Sequence, residues 1–160
     1  LRYYSFTSFS EEMRILGLDI GDKRIGIAIS DELGHTAQGL MALERSTEGA
    51  DSSTVLSSLS KDIDRIKEIM ADYSADKVVV GLPLRMDGTV GIQAQKAKGF
   101  AERLRAEVSQ PVVYWDERLT TATARKALIS GEMRRSARRR VIDKVAASLI
   151  LQSYLDSLRK

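Results

Sequence analysis

The sequence predicts an α/β fold, a mixed five-stranded sheet flanked by helices, and three patterns carry that expectation. Two apolar runs of period two come first, Leu16, Leu18 and Ile20, then Ile25, Ile27 and Ile29. A compact β-branched run from Lys77 to Leu82 has the composition of a strand buried on both faces in a parallel sheet. Around it, apolar residues return at helical spacing. With 160 residues, 43% of them hydrophobic and 29% charged, the chain can bury one sizeable core, so a single domain over residues 13–160 is the expectation.

The first strand is expected over Arg14 to Ile20 and the second over Arg24 to Ser30, with Gly21 and Asp22 in the turn between them. Thr36 to Leu43 is a weaker extended run, interrupted by Gly39, that completes a three-strand antiparallel meander. From Ser52 to Tyr73, Val55, Leu59, Ile63, Ile66 and Met70 share one side of a helix, and Lys61, Asp64, Arg65, Lys67 and Glu68 the other. A second helix is expected over Gly91 to Val108, followed by a short strand over Pro111 to Trp115. A helix from Thr120 to Ile129, a break at Gly131, an arginine-rich loop and a last helix from about Val141 to Leu158 complete the order. Leu1 to Glu12 shows no period and is read as an N-terminal extension or expression remnant.

Composition narrows the chemistry. The absence of cysteine excludes disulfides, thiolate zinc sites and cysteine nucleophiles, and the lone His35 cannot build a histidine metal site. Any metal must therefore be held by oxygen, which points to hard cations such as Mg²⁺ or Mn²⁺. No apolar run is long enough to cross a bilayer and the start lacks a signal-peptide core, so a cytoplasmic protein without a membrane partner is expected. A net charge of +3 fits a polyanion partner without establishing one.

Three regions place acids where acids are costly. Asp19 lies near the end of an apolar strand, on the face of Ile15 and Gly17, where a carboxylate needs a partner. Asp116 and Glu117 follow a strand, and alternation lets only one of them share the face of Asp19. Asp143 heads the last helix, on the face of Ala146, Ala147 and Ile150. Each has a plain structural reading: a first-turn carboxylate on a helix dipole for Asp143, a strand-end cap for Asp116. Together, acids from several elements that converge at a strand end suit divalent cations and phosphodiester hydrolysis.

Four segments then carry a resemblance. They are Ile15-Leu16-Gly17-Leu18-Asp19-Ile20-Gly21 with Lys23-Arg24-Ile25-Gly26; Gly81-Leu82-Pro83-Leu84 through Met86-Asp87-Gly88-Thr89; Asp116-Glu117-Arg118-Leu119-Thr120-Thr121; and Asp143 with Ala146-Ala147. In this order and at this separation the chain, from Met13 to about Tyr154, resembles the YqgF family, also called RuvX, of pre-16S rRNA nucleases and Holliday-junction-resolvase-like proteins. The resemblance implies an RNase H-like fold, a metal site formed by Asp19, Glu117 and Asp143, and a role in maturing the 5′ end of 16S ribosomal RNA. Those three acids are thereby the candidate catalytic and metal-binding residues, with Mg²⁺ or Mn²⁺ as cofactor.

Candidate substrate-binding residues are Lys23, Arg118, Arg138, Arg139 and Arg140. Arg134, Arg135, Arg138, Arg139, Arg140 and Lys144 crowd the approach to Asp143, a density that is either solvated or turned to polyanion. Arg118 either anchors a phosphate or pairs with an acid. Gly81, Pro83 and Gly88 are explained by a tight loop, Thr120 or Thr121 by a helix N-cap, His35 by an exposed turn and Trp115 by the core. The expected partners are pre-rRNA, branched DNA or a pre-ribosomal particle, for a monomer or homodimer. Two other classes compete: an RNA-binding ribosome-assembly factor that does not cleave, and an actin-like phosphotransferase, for which the chain is short.

Overall fold

A computed structural model of the chain describes residues 12–46, 51–120 and 135–160, with side chains in the last stretch from Arg139 onward. Residues 121–129 of the expected helix, the break at Gly131, Arg134, the side chains of Arg135 and Arg138, and all of the expected extension but Glu12 lie outside the described residues; Thr120, where that helix is expected to start, is described and has extended backbone.

Five strands form one sheet: β1 (Arg14–Ile20), β2 (Arg24–Ser30), β3 (Ala37–Glu44), β4 (Ala75–Leu82) and β5 (Val112–Asp116), in spatial order β3-β2-β1-β4-β5. β1, β2 and β3 pair antiparallel as the expected meander, and β1–β4 and β4–β5 pair parallel. The crossovers that parallel pairing demands are α1 (Ser52–Asp72) and α2 (Ile92–Glu107). A single 3₁₀ turn, Glu117–Leu119, follows β5, and α3 (Arg135–Ser157) ends the fold. The strands fall where the period-two runs place them, with shifts of up to two residues at β3, β4 and β5.

The last helix departs from expectation. It is already helical at Arg135, where the described residues resume, and not only from near Val141, so Arg135, Arg138, Arg139 and Arg140, expected in a loop, lie within α3. Asp143 accordingly sits more than two turns inside the helix, and the first-turn helix-dipole reading does not apply to it. Arginine is a good helix former, so a basic run ahead of an apolar stripe is compatible with helix as well as loop.

Strand alternation splits the core into two. On one face Leu16, Leu18, Ile25, Ile27, Val78 and Val80 pack against Ile63 and Ile66 of α1 and Phe100 and Leu104 of α2. On the other, Ile15, Ala28 and Val79 meet Ala147, Ile150, Leu151 and Leu155 of α3. Ala94, Ala97 and Ala101 of α2 are fully buried, so the helix rides close to its neighbours. Val55 does not reach the core as its spacing predicts. It is 55% exposed and lines an open cleft with Leu59, Phe100 and Arg45, because the first turns of α1 are left uncovered.

One buried charge ties that cleft to the sheet. Asp62 of α1 is 4% exposed and accepts from Arg45 Nε at 3.0 Å, while Arg45 also donates to the Gly21 carbonyl at 2.9 Å and lies over the Phe100 ring. Arg45→Ala leaves Asp62 without its counter-ion and is expected to cost about 2 kcal/mol, read as a lower urea midpoint at constant slope. Arg45→Lys should recover part of it.

Candidate metal and nucleic-acid site

The site is built at the C-terminal end of β1, on the face covered by α3. Ile15, Gly17 and Asp19 share that face by alternation, and Ile15 lies fully buried against the helix. Asp19 is half-buried at the edge of this packing and pairs across the sheet with Gly26 of β2. On its other side, the rung after Leu18–Val80 carries Asp19 beside Gly81 of β4. Asp19 thus has a glycine on each flank.

Those glycines are what admit the other two acids. A Cβ added at Gly26 would overlap the backbone carbonyl of Asp143, so α3 can approach β2 there only over a residue without a side chain. A Cβ at Gly81 would stand 2.6 Å from Glu117 Oε1 and 2.6 Å from Ile150 Cδ1. Glu117 therefore lies over β4, on the α3 face, next to the rung that carries Asp19. Asp143 lies one helical turn before buried Ala147 and is itself half-buried, its side chain 29% exposed.

Asp116 points the other way and has a different task. Its carboxylate accepts from the Arg118 amide at 3.0 Å, which caps the 3₁₀ turn, and from the Arg118 guanidinium at Nε (3.0 Å) and Nη2 (2.6 Å). Of the two neighbouring acids, Glu117 is the one that shares a face with Asp19. Arg118, offered on sequence for phosphate, is here paired with Asp116, and its Nη1 reaches the Met86 carbonyl at 3.4 Å. A phosphate approaching Arg118 meets a guanidinium already engaged.

The Arg118 hydrogen bond holds the Asp116 carboxyl below its ordinary range. A folded pKa lower than the unfolded one means that this stabilisation is complete above the unfolded pKa and disappears as pH falls through the folded one. The stability difference between wild type and Asp116→Asn is expected to be constant near neutrality and to shrink as acidification passes the unfolded carboxylate value of about 4 and continues below it. Urea unfolding of both proteins across that acidification checks it.

Gly88 has φ +86°, its amide bonds to the Arg85 carbonyl at 2.8 Å, and Asp87 Oδ1 accepts from the Thr89 amide at 2.9 Å. The loop after β4 is thus shaped by its own backbone, as its glycine implies. His35 is an exposed turn residue whose amide bonds to Asp31, and Trp115 packs edge-on to Tyr154 and donates to Ser153 Oγ at 3.1 Å. Lys23 is exposed in the β1–β2 turn, at the same end of the sheet as Asp19. Arg139 is exposed in the second turn of α3, and exposed Arg140 pairs with Glu44 at 2.8 Å.

The residue that sequence reasoning passed over is Arg24. It opens β2, and its Nε donates to Asp143 Oδ2 at 2.7 Å across 119 residues of chain. Its signal in the sequence was position: two before Gly26, and so on the same face of the strand as the acid cluster. Among the described residues, no group of three His, Cys, Asp or Glu side chains stands in metal-holding geometry. The donor set itself is all carboxylate oxygen, which fits a hard divalent cation.

Comparison with known proteins agrees with this architecture. The RuvX family model, described as Holliday junction resolvase, matches residues 13–157. A protein of Caldanaerobacter subterraneus subsp. tengcongensis is 50% identical over 146 residues, 91% of this chain and 97% of its own length. A protein of Geobacillus kaustophilus is 49% identical over 147 residues, 92% of this chain and all of its own. Both carry the name "Putative pre-16S rRNA nuclease". Among solved structures, Thermus thermophilus RuvC in complex with a Holliday junction substrate superimposes with a TM-score of 0.55 at 17% identity, over 91% of this chain and 96% of that one. The yeast mitochondrial Holliday junction resolvase Ydc2 does so with 0.55 at 12% identity, over 90% and 78%. The fold is therefore the RNase H-like one of these resolvases, as the sequence resemblance implies. The chain belongs to the RuvX family.

Proposed function

We propose that the chain is a metal-dependent endonuclease that processes the 5′ end of pre-16S rRNA in the cytoplasm, with Asp19, Glu117 and Asp143 as its metal-binding catalytic residues. Membership of a family whose relatives are named as nucleases supports a phosphodiester hydrolase. The observation that carries the residue assignment is the pair of glycines beside Asp19, which lets α3 bring in Asp143 and the end of β5 bring in Glu117. Three acids drawn from three separate elements toward one strand end offer the all-oxygen donor set that a hard divalent cation takes.

A divalent cation, Mg²⁺ or Mn²⁺, would supply Lewis-acid chemistry, activating water and stabilising the leaving oxygen of the phosphodiester. The chain supplies the rest. Asp19, fixed by the central strand, sets the position of the site, and Glu117 and Asp143 approach it from either side. Lys23 and Arg139, both exposed, supply sequence-independent phosphate contact on this reading, so affinity should fall steeply with salt.

Branched DNA is the second reading, favoured by the resolvase description of the family model and by the superposition on RuvC. The two substrates are separated by presenting a 16S precursor fragment and a four-way DNA junction to the same protein with Mn²⁺. Cleavage of the RNA is expected. Cleavage confined to the junction would replace the rRNA reading, and salt-sensitive RNA binding without any product would replace cleavage by an assembly role.

A further inference from the structure

If Asp19, Glu117 and Asp143 converge on one cation, as proposed above, three carboxylates need positive charge whether or not a metal is present, because like charges brought together out of bulk water repel strongly. The sequence offers many cations near Asp143, yet the described ones do not all serve it. Arg140, one turn earlier on α3, is turned to Glu44. Glu44 is the strand partner of Arg24 in β3, so it draws Arg140 away from Asp143. Among the described residues, the cation that reaches the Asp143 carboxylate is Arg24, from the opposite element, through a single Nε contact at 2.7 Å.

That contact is sheltered but weakly anchored. The two side chains are only 20% and 29% exposed, which makes the charge-assisted bond stronger than a surface pair. It is also one-pronged, whereas a guanidinium facing a carboxylate squarely makes two parallel bonds. The contact can therefore hold Asp143 and still be displaced by an ion of higher charge. A divalent cation drawn to the same carboxylate would meet the attraction of the acids and the repulsion of the adjacent guanidinium.

We propose that Arg24 is the internal counter-ion of the site: it holds Asp143 while no metal is bound and, by competing with the divalent cation for that carboxylate, sets the affinity at which the site fills. Arg24 is a positioning residue, and the proposal rests on the metal-site reading above. Its consequence is that removing Arg24 strengthens metal binding. A residue that merely supported the local structure would weaken it.

The test is calorimetric titration of Mn²⁺ into wild type, Arg24→Gln and Arg24→Lys, with a double-mutant cycle of Arg24→Gln and Asp143→Asn by urea unfolding in chelator. Arg24→Gln is expected to bind Mn²⁺ roughly tenfold or more tightly than wild type. Arg24→Lys, which keeps the charge without the planar fork, should stay close to wild type. In chelator the two positions should couple, confirming the ion pair in solution without reference to metal. Mn²⁺ binding by Arg24→Gln equal to or weaker than wild type overturns the proposal. Coupling in chelator with no Mn²⁺ bound by any of the proteins overturns it differently, through the metal-site reading, and leaves Arg24 and Asp143 as an ion pair alone.

Discussion

Asp19→Asn is expected to lose about a thousandfold or more in cleavage of a 16S precursor fragment while its circular dichroism spectrum and unfolding midpoint stay those of wild type. The substitution keeps size and shape, so the pairing of residue 19 with the β2 partner Gly26 is preserved. What changes is one charge on the central strand, in the position from which Glu117 and Asp143 are both approached. A loss confined to activity separates the site from the fold. Retained cleavage would show that Asp19 is only a tolerated acid at the rim of the α3 core.

The second large effect is structural, and it falls on a residue with no chemistry. Gly26→Ala should destabilise the chain by roughly 3 kcal/mol or more and reduce cleavage along with it. The added Cβ would overlap the main-chain carbonyl of Asp143, which no rotamer change can move, so α3 has to lift from β2. Gly81→Ala makes an instructive contrast. There the nearest atoms are the ends of the Glu117 and Ile150 side chains, which can swing aside, so a smaller stability cost and a displaced Glu117 are expected. Urea unfolding and cleavage rates of the two variants should thus separate: fold and activity together at Gly26, activity mainly at Gly81. Equal effects on both measures would contradict this division of labour.

The order of elements was legible because the sheet has two simple periods. Arg14–Ile20 and Arg24–Ser30 carry clean alternation and fall on the observed strands to the residue, and the unbroken Lys77–Leu82 run marks a strand covered on both sides. That α3 already runs at Arg135 was not legible, since arginines fit the outer face of a helix as well as a solvated loop, and no glycine or proline stands between Arg134 and Val141 to mark a stop. Val55 was misplaced for a related reason: helical spacing reports which residues share a face, not how far the neighbouring layer extends along it.

For the candidate site, alternation left Asp116 and Glu117 as alternatives. The geometry separates them through partners the sequence cannot pair, Arg118 on one side and Gly81 with Ile150 on the other. Arg24 escaped notice because its contact with Asp143 spans 119 residues and depends on how α3 crosses the meander. Glycines could have pointed to it. Gly17, Gly26, Gly39 and Gly81, on four different strands, all face α3, and their spacing relative to Asp19 outlines where that helix passes closest.

On the proposed reading, Asp19, Glu117 and Asp143 together hold one divalent-cation site. Electron paramagnetic resonance of Mn²⁺ titrated into wild type, Asp19→Asn, Glu117→Gln and Asp143→Asn tests it most directly, because it reads binding without requiring a substrate. Bound Mn²⁺ in wild type and a marked loss of affinity in each of the three variants is the predicted result. Mn²⁺ binding unchanged in any one of them would remove that residue from the site, and binding unchanged in all three would contradict the account.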